Sequence, residues 1–217
     1  MKQYRLLFEI VTMLPVLPIF YYGRLVHSKM EKEIKIYWIF LLFSFTFQLG
    51  LIITSRNGIH NISASMAYQV IEYAVLSLLF YMWNPNRMIR TIILIFLLIN
   101  LFSWAHFFTG KNIDYSVTID KYLRNFILIP LSFLTAYKLA VQSKIDMLKN
   151  IEFWIVGGLL VNITITAFTQ VMQAYVLHTR ELRPIVNNVL LLVNTLSAIM
   201  FIKGFLCLKA QMKFIGS

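Results

Sequence analysis

Residues 37–55 read YWIFLLFSFTFQLGLIITS, nineteen residues without a charged side chain, with Lys35 before them and Arg56 after. A hydrocarbon core about 30 Å thick is crossed by about 20 residues of α-helix rising 1.5 Å each. This stretch therefore reads as a membrane span by length and by composition. Stretches of the same kind near 6–23, 65–83, 91–109, 122–142, 153–176 and 184–206 take up most of the remaining chain of 217 residues. The connections between them are short and polar, which favours neighbouring antiparallel helices. The expected fold is all-α: a single domain, residues 1–217, forming an integral membrane bundle of seven transmembrane helices that runs up and down.

Composition supports that solvent. Hydrophobic residues make up 59% of the chain and charged ones 13%, against a charged share of about 25% in soluble domains. Seven spans leave no room among these residues for a kinase, nuclease or nucleotide-binding module. The net charge of +11 does not point to nucleic acid, because the basic residues sit singly or in pairs at the ends of apolar runs. Of the 20 Lys and Arg residues, eight fall on the side of the N-terminus and twelve on the opposite side. The positive-inside bias then places the N-terminus outside and the C-terminus inside, in the cell (inner or plasma) membrane.

Local signals mark the connections. Asn57-Gly58, Asn84-Pro85-Asn86 and Gly110-Lys111-Asn112 carry turn chemistry, and Ser28 followed by Glu31 predicts a capping box at the start of the second span. The first span opens like a signal peptide with Lys2 and Arg5, but Glu9, Pro15 and Pro18 interrupt it and no small-residue cleavage site follows, so a retained helix is expected. Gly157-Gly158 predicts a close helix crossing. Cys207 is the single cysteine, which rules out an internal disulfide and reads as a buried structural thiol. Asn61-Ile62-Ser63 forms a glycosylation sequon on the outer side. Prolines in the first and fifth spans invite comparison with the three-plus-one-plus-three repeat of small sugar transporters, but the second-span prolines and the Pro-Gln motif of that plan are missing.

Polar side chains inside the spans are the residues that need a reason, since each is costly against lipid and is expected to face the bundle interior. Glu72 leads them, with Gln69 one turn away on the same helical face and with His106 and Arg124 as candidate partners at similar depth. Glu9 is shallower and spaced to pair with Arg5. Gln48, Asn162, Gln170, Gln173, Asn188 and Asn194 complete the set expected to bind a ligand or carry a proton. Most of these lie in the outer half of the membrane in the orientation above, so the expectation is a polar cavity that opens outward and is closed below by apolar packing. No catalytic constellation and no metal cluster can be assembled, because His27, His60 and His178 fall on loops of opposite sides. Lys203 lies close to the inner boundary, and the third span lacks an Asp counter-ion, which argues against a retinal Schiff base. No cofactor is expected.

Besides an intramembrane enzyme acting on lipids, for which only Glu9, Glu72 and His106 are available, three function classes follow. The first is a non-enzymatic receptor or sensor that binds a small polar ligand from outside and signals through a cytoplasmic or membrane protein partner, met by the basic inner loops around Lys29, Lys32, Lys35, Lys144 and Lys149. The second is a small secondary transporter of a polar solute, proton-coupled through Glu72. The third is a structural subunit of a membrane complex.

Overall fold

The computed structural model describes residues 16–58, 61–109, 113–142, 146–176 and 183–215. Among them it is all-helical, with seven α-helices and no strand: α1 (Val16–Val26), α2 (Lys32–Arg56), α3 (Ile62–Trp83), α4 (Arg87–Thr109), α5 (Ile113–Gln142), α6 (Ile151–Val176) and α7 (Arg183–Ile215). Four of these are long and apolar enough to cross a membrane, over Lys32–Arg56, Ser63–Trp83, Ile151–Thr169 and Asn188–Leu208. That is the mark of an integral membrane protein. The spans expected at 6–23, 91–109 and 122–142 rest partly on residues or side chains outside the described set.

Large apolar side chains lie on the outer surface as well as in the core, and some polar ones are buried. Leu94, Ile95, Leu98 and Phe102 on α4 and Phe126, Phe133 and Tyr137 on α5 are exposed, whereas Ser77, Asn100, Asn125, Ser132, Thr135, Thr169 and Ser197 are buried. Hydrocarbon is the solvent that such a surface suits. Helices also outrun the apolar stretches that announce them. α2 begins at Lys32 and α3 at Ile62, ahead of the starts expected at 37 and 65, because polar first turns, charged in α2 and serine-containing in α3, keep their helical bonds outside the apolar stretch.

The chain divides into two compact units, Met30–Leu128 and a second made of Met1–Lys29 with Ile129–Ser217. In the first of these, α3 packs against both α2 and α4. The α2–α3 turn is built as its residues suggest: the Asn57 N–H donates to Ile53 O and Thr54 O, and Gly58 adopts φ 75°, a left-handed backbone that favours glycine. Asn61 then donates through Nδ2 to Leu51 O at 2.8 Å and to Thr54 Oγ1 at 2.6 Å. The sequon asparagine is thus a clasp of the hairpin, its amide nitrogen already engaged. Ser28 lies in a 3₁₀ turn, His27–Lys29, and the N-cap of α2 is Glu31 with no side-chain capping bond. The expected capping box does not form, since the 3₁₀ turn places Ser28 outside the helix start.

In the other unit α7 packs on α6 and on α1, whose Ile19, Gly23 and Val26 form one buried face. A Cβ on Gly158 would stand 2.5 Å from Phe201 Cε1, and one on Gly204 would stand 3.2 Å from Trp154 Cβ and 3.3 Å from Ile151 O. The glycines therefore let α6 and α7 approach closely, as small residues do in membranes. Asn150 starts α6 by accepting from the Glu152 and Phe153 N–H groups. Leu148 O receives both Trp154 Nε1–H at 2.9 Å and the buried Cys207 thiol at 3.4 Å.

The two neighbouring glycines separate the effects of backbone approach and side-chain give. Gly158→Ala is expected to destabilise the protein by about 1–3 kcal/mol through overpacking against Phe201. Gly157→Ala is expected to cost less, because its added methyl meets only the flexible Cε of Met200 at 2.8 Å and gains about 1 kcal/mol of helix propensity. Thermal unfolding of the two variants in detergent measures the difference.

Candidate functional site

Glu72 is the eleventh of the 22 residues of α3, at the centre of the helix. It lies on the face that α3 buries, in line with Tyr68 one turn before and with Leu76 and Leu79 one and two turns after. Its side chain is half-buried. Tyr37 of α2 is wholly buried and within electrostatic reach of both Tyr68 and Glu72. A carboxylate and two phenols are thereby gathered between two helices, in surroundings where a lone carboxylate would be costly.

The second half of the cluster is polar and aromatic. Tyr68 Oη and Ser44 Oγ share a hydrogen bond of 2.6 Å, and Gln48 Nε2 donates to Ser44 Oγ at 3.5 Å. The Tyr68 ring stacks on Phe47 at 5.3 Å between centroids and on Phe43 at 6.5 Å. Phe43, Ser44, Phe47 and Gln48 sit one turn apart on α2 and form a shelf whose rings fix the phenol while its hydroxyl is satisfied. Ser and Tyr hydroxyls both donate and accept, so this set is suited to orienting a hydrogen-bonding solute or to handing on a proton. Gln69 is half-buried on the same α3 face.

A different pair forms in the other unit. Asn162 and Asn194 are each the twelfth residue of their helices, α6 and α7, and Asn162 Nδ2 donates to Asn194 Oδ1 at 3.0 Å. Asn194 shares a helical face with the buried Phe201 and Phe205, at i, i+7 and i+11, yet it is exposed. The packed face therefore opens at the level of the pair. Ser197, one turn further along α7, is buried with its hydroxyl unpartnered.

The residues singled out from sequence thus fall into several groups. Glu72 and Gln48 join one cluster, with Gln69 on the same face of α3, and Asn162 and Asn194 join each other. Asn188 is exposed on the face of α7 that also carries exposed Leu192, Ile199 and Leu206, away from the face that packs. Glu9 lies outside the described residues, as do the side chains of His106, Arg124, Gln170 and Gln173. Tyr37 was not among the expected site residues. Its signal is its position seven residues before Ser44, which puts both on one face of α2. No group of three or more His, Cys, Asp or Glu side chains able to hold a metal occurs among the described residues.

The Asn162–Asn194 bond is expected to couple the two helices by about 0.6 kcal/mol, the average for interhelical hydrogen bonds in membranes, and by no more than about 1.7 kcal/mol. A double-mutant cycle with Asn162→Ala and Asn194→Ala, read by unfolding in detergent, measures that coupling. Compared with known proteins, the chain matches no family model, no curated protein and no solved structure.

Proposed function

We propose that this chain is a multi-pass protein of the cell membrane, its seven helices running up and down with the N-terminus outside and the C-terminus inside, and that it works as a receptor or sensor. A small polar ligand reaches a cavity open to the outside, and the response leaves through a protein partner at the basic inner loops. The observation that carries this reading is the cluster of Glu72, at mid-helix, with Tyr37, Tyr68, Ser44 and Gln48. A half-buried carboxylate beside phenols and an amide favours a solute with several hydrogen-bond donors, a cationic one above all. Its placement within a span follows the rule that intramembrane ionisable groups mark function.

A second reading, a small proton-coupled transporter, draws on the division of the chain into two compact units whose border within α5 falls between Leu128 and Ile129, beside Pro130. A carboxylate in hydroxyl-rich surroundings also suits proton carriage.

Cavity access and orientation are tested together. In a Cys207→Ser background, Gln69→Cys is expected to react with an impermeant maleimide added to intact cells, and Leu79→Cys is expected to stay unlabelled. The reverse pattern would sink the outward cavity. In proteoliposomes carrying a pH dye, a receptor passes no protons when a solute gradient is applied. Solute-driven acidification that Glu72→Gln abolishes would favour the transporter instead.

A further inference from the structure

The α3–α4 turn holds an arginine that the cluster around Glu72 does not use. Arg90 Nε donates to two carbonyl oxygens, Asn84 O at 2.7 Å and Tyr81 O at 3.1 Å, and its guanidinium carbon lies 4.8 Å from the centroid of the Tyr81 ring. These contacts cap the last carbonyls of α3 and clamp the guanidinium plane. They occupy only Nε, so the two terminal nitrogens with their four N–H groups present an edge that no described residue engages.

Arg87 is one turn before Arg90 on α4 and is exposed. Neither arginine forms an ion pair among the described residues, and the first turn of α4 has no acidic residue. Asn86 Oδ1 already accepts the Met88 N–H at 2.9 Å, so the feature is the pair of guanidiniums and not the helix end. Two cations one turn apart without a carboxylate repel each other and call for an anion.

The location selects that anion. The turn directly follows Trp83, the last residue of a span long and apolar enough to cross the membrane, so it stands at headgroup depth. From the arginines an exposed apolar stripe continues along α4 through Leu94, Leu98 and Leu101, at i+7 and i+11 from Arg87 and at i+4 and i+11 from Arg90. Charge at the boundary with an apolar track leading into the bilayer matches a phosphate that carries acyl chains.

We propose that Arg90 and Arg87 form a binding site for the headgroup phosphate of an anionic phospholipid, with an acyl chain lying along the Leu94–Leu98–Leu101 stripe. Arg90 supplies the preset fork and Arg87 the second charge. Arginine suits this role because its planar fork meets phosphate oxygens in pairs, whereas lysine offers a point charge. The site uses the membrane placement of α3 and rests on the proposed seven-helix topology for that of α4, and it is independent of any ligand at Glu72.

The test is native mass spectrometry of the full chain in micelles containing phosphatidylglycerol and phosphatidylcholine in equal amounts. The wild type is expected to retain phosphatidylglycerol selectively, and Arg87→Gln combined with Arg90→Lys to retain it roughly tenfold less, the effect of one or two lost charge-assisted bonds. Arg90→Lys keeps the charge, so a loss in that single variant separates fork recognition from bulk attraction. The Arg87 side chain makes no hydrogen bond or ion pair among the described residues, so Arg87→Gln alone guards against a folding defect. Arg56→Gln, at the α2–α3 turn beyond the opposite end of α3, is expected to leave retention unchanged. Equal retention of both lipids, full retention by the double variant or an equal loss in Arg56→Gln would overturn the proposal. So would competition by millimolar inorganic phosphate that displaces the lipid completely, because the acyl stripe would then contribute nothing.

Discussion

Hydrocarbon offers no hydrogen bonds, and a polar group left alone in it costs several kcal/mol. Where this chain places Glu, Gln, Asn, Ser and Tyr inside long apolar helices, the protein itself has to supply their partners. The pairs that result are specific: Ser44 with Tyr68, Asn162 with Asn194 and Thr135 with Leu131 O. Thr46 and Thr54 likewise turn their hydroxyls back onto their own helix carbonyls. Many apolar side chains can then face outward, as Leu94, Leu98, Phe126 and Phe133 do on α4 and α5.

The same constraint shapes the turns. At the membrane boundary each helix ends with carbonyls or amides that have no intrahelical partner, and several turns recruit a side chain from nearby. Asn61 ties back to α2, Asn84 and Arg90 serve the end of α3, and Asn150 serves the start of α6. These residues are polar for local reasons. Arg90 does more than this local duty requires, since its terminal nitrogens remain available after Nε has capped the helix.

Much of this was legible in the residues. Apolar length marked the helices, and Asn57-Gly58 and Asn84-Pro85-Asn86 marked their turns, because chain geometry and φ preference act over a few residues. Gly157-Gly158 announced a close crossing for the same reason. Glu72 stood out because a carboxylate in the middle of an apolar helix is rare and costly. Tyr37 did not stand out, since a tyrosine near the end of a span looks like an interfacial anchor until its neighbours are known. Ser28 and Asn61 carried motifs that local geometry redirected: a 3₁₀ turn took the first, and a hairpin clasp took the second.

The order of residues alone determined the solvent, the helical class and which side chains share a helix face, since all three follow from local covalent geometry and from transfer to hydrocarbon. Only the tertiary structure decided which faces meet. Asn162 and Asn188 are equally polar on paper, yet Asn162 meets Asn194 while Asn188 lies on the exposed face of α7. The physical reason is that helical phase is known from sequence only up to a rotation about each axis. Close contacts such as Gly158 against Phe201 and Gly204 against Trp154 lock that rotation, and with it the partners of every polar side chain on the two helices.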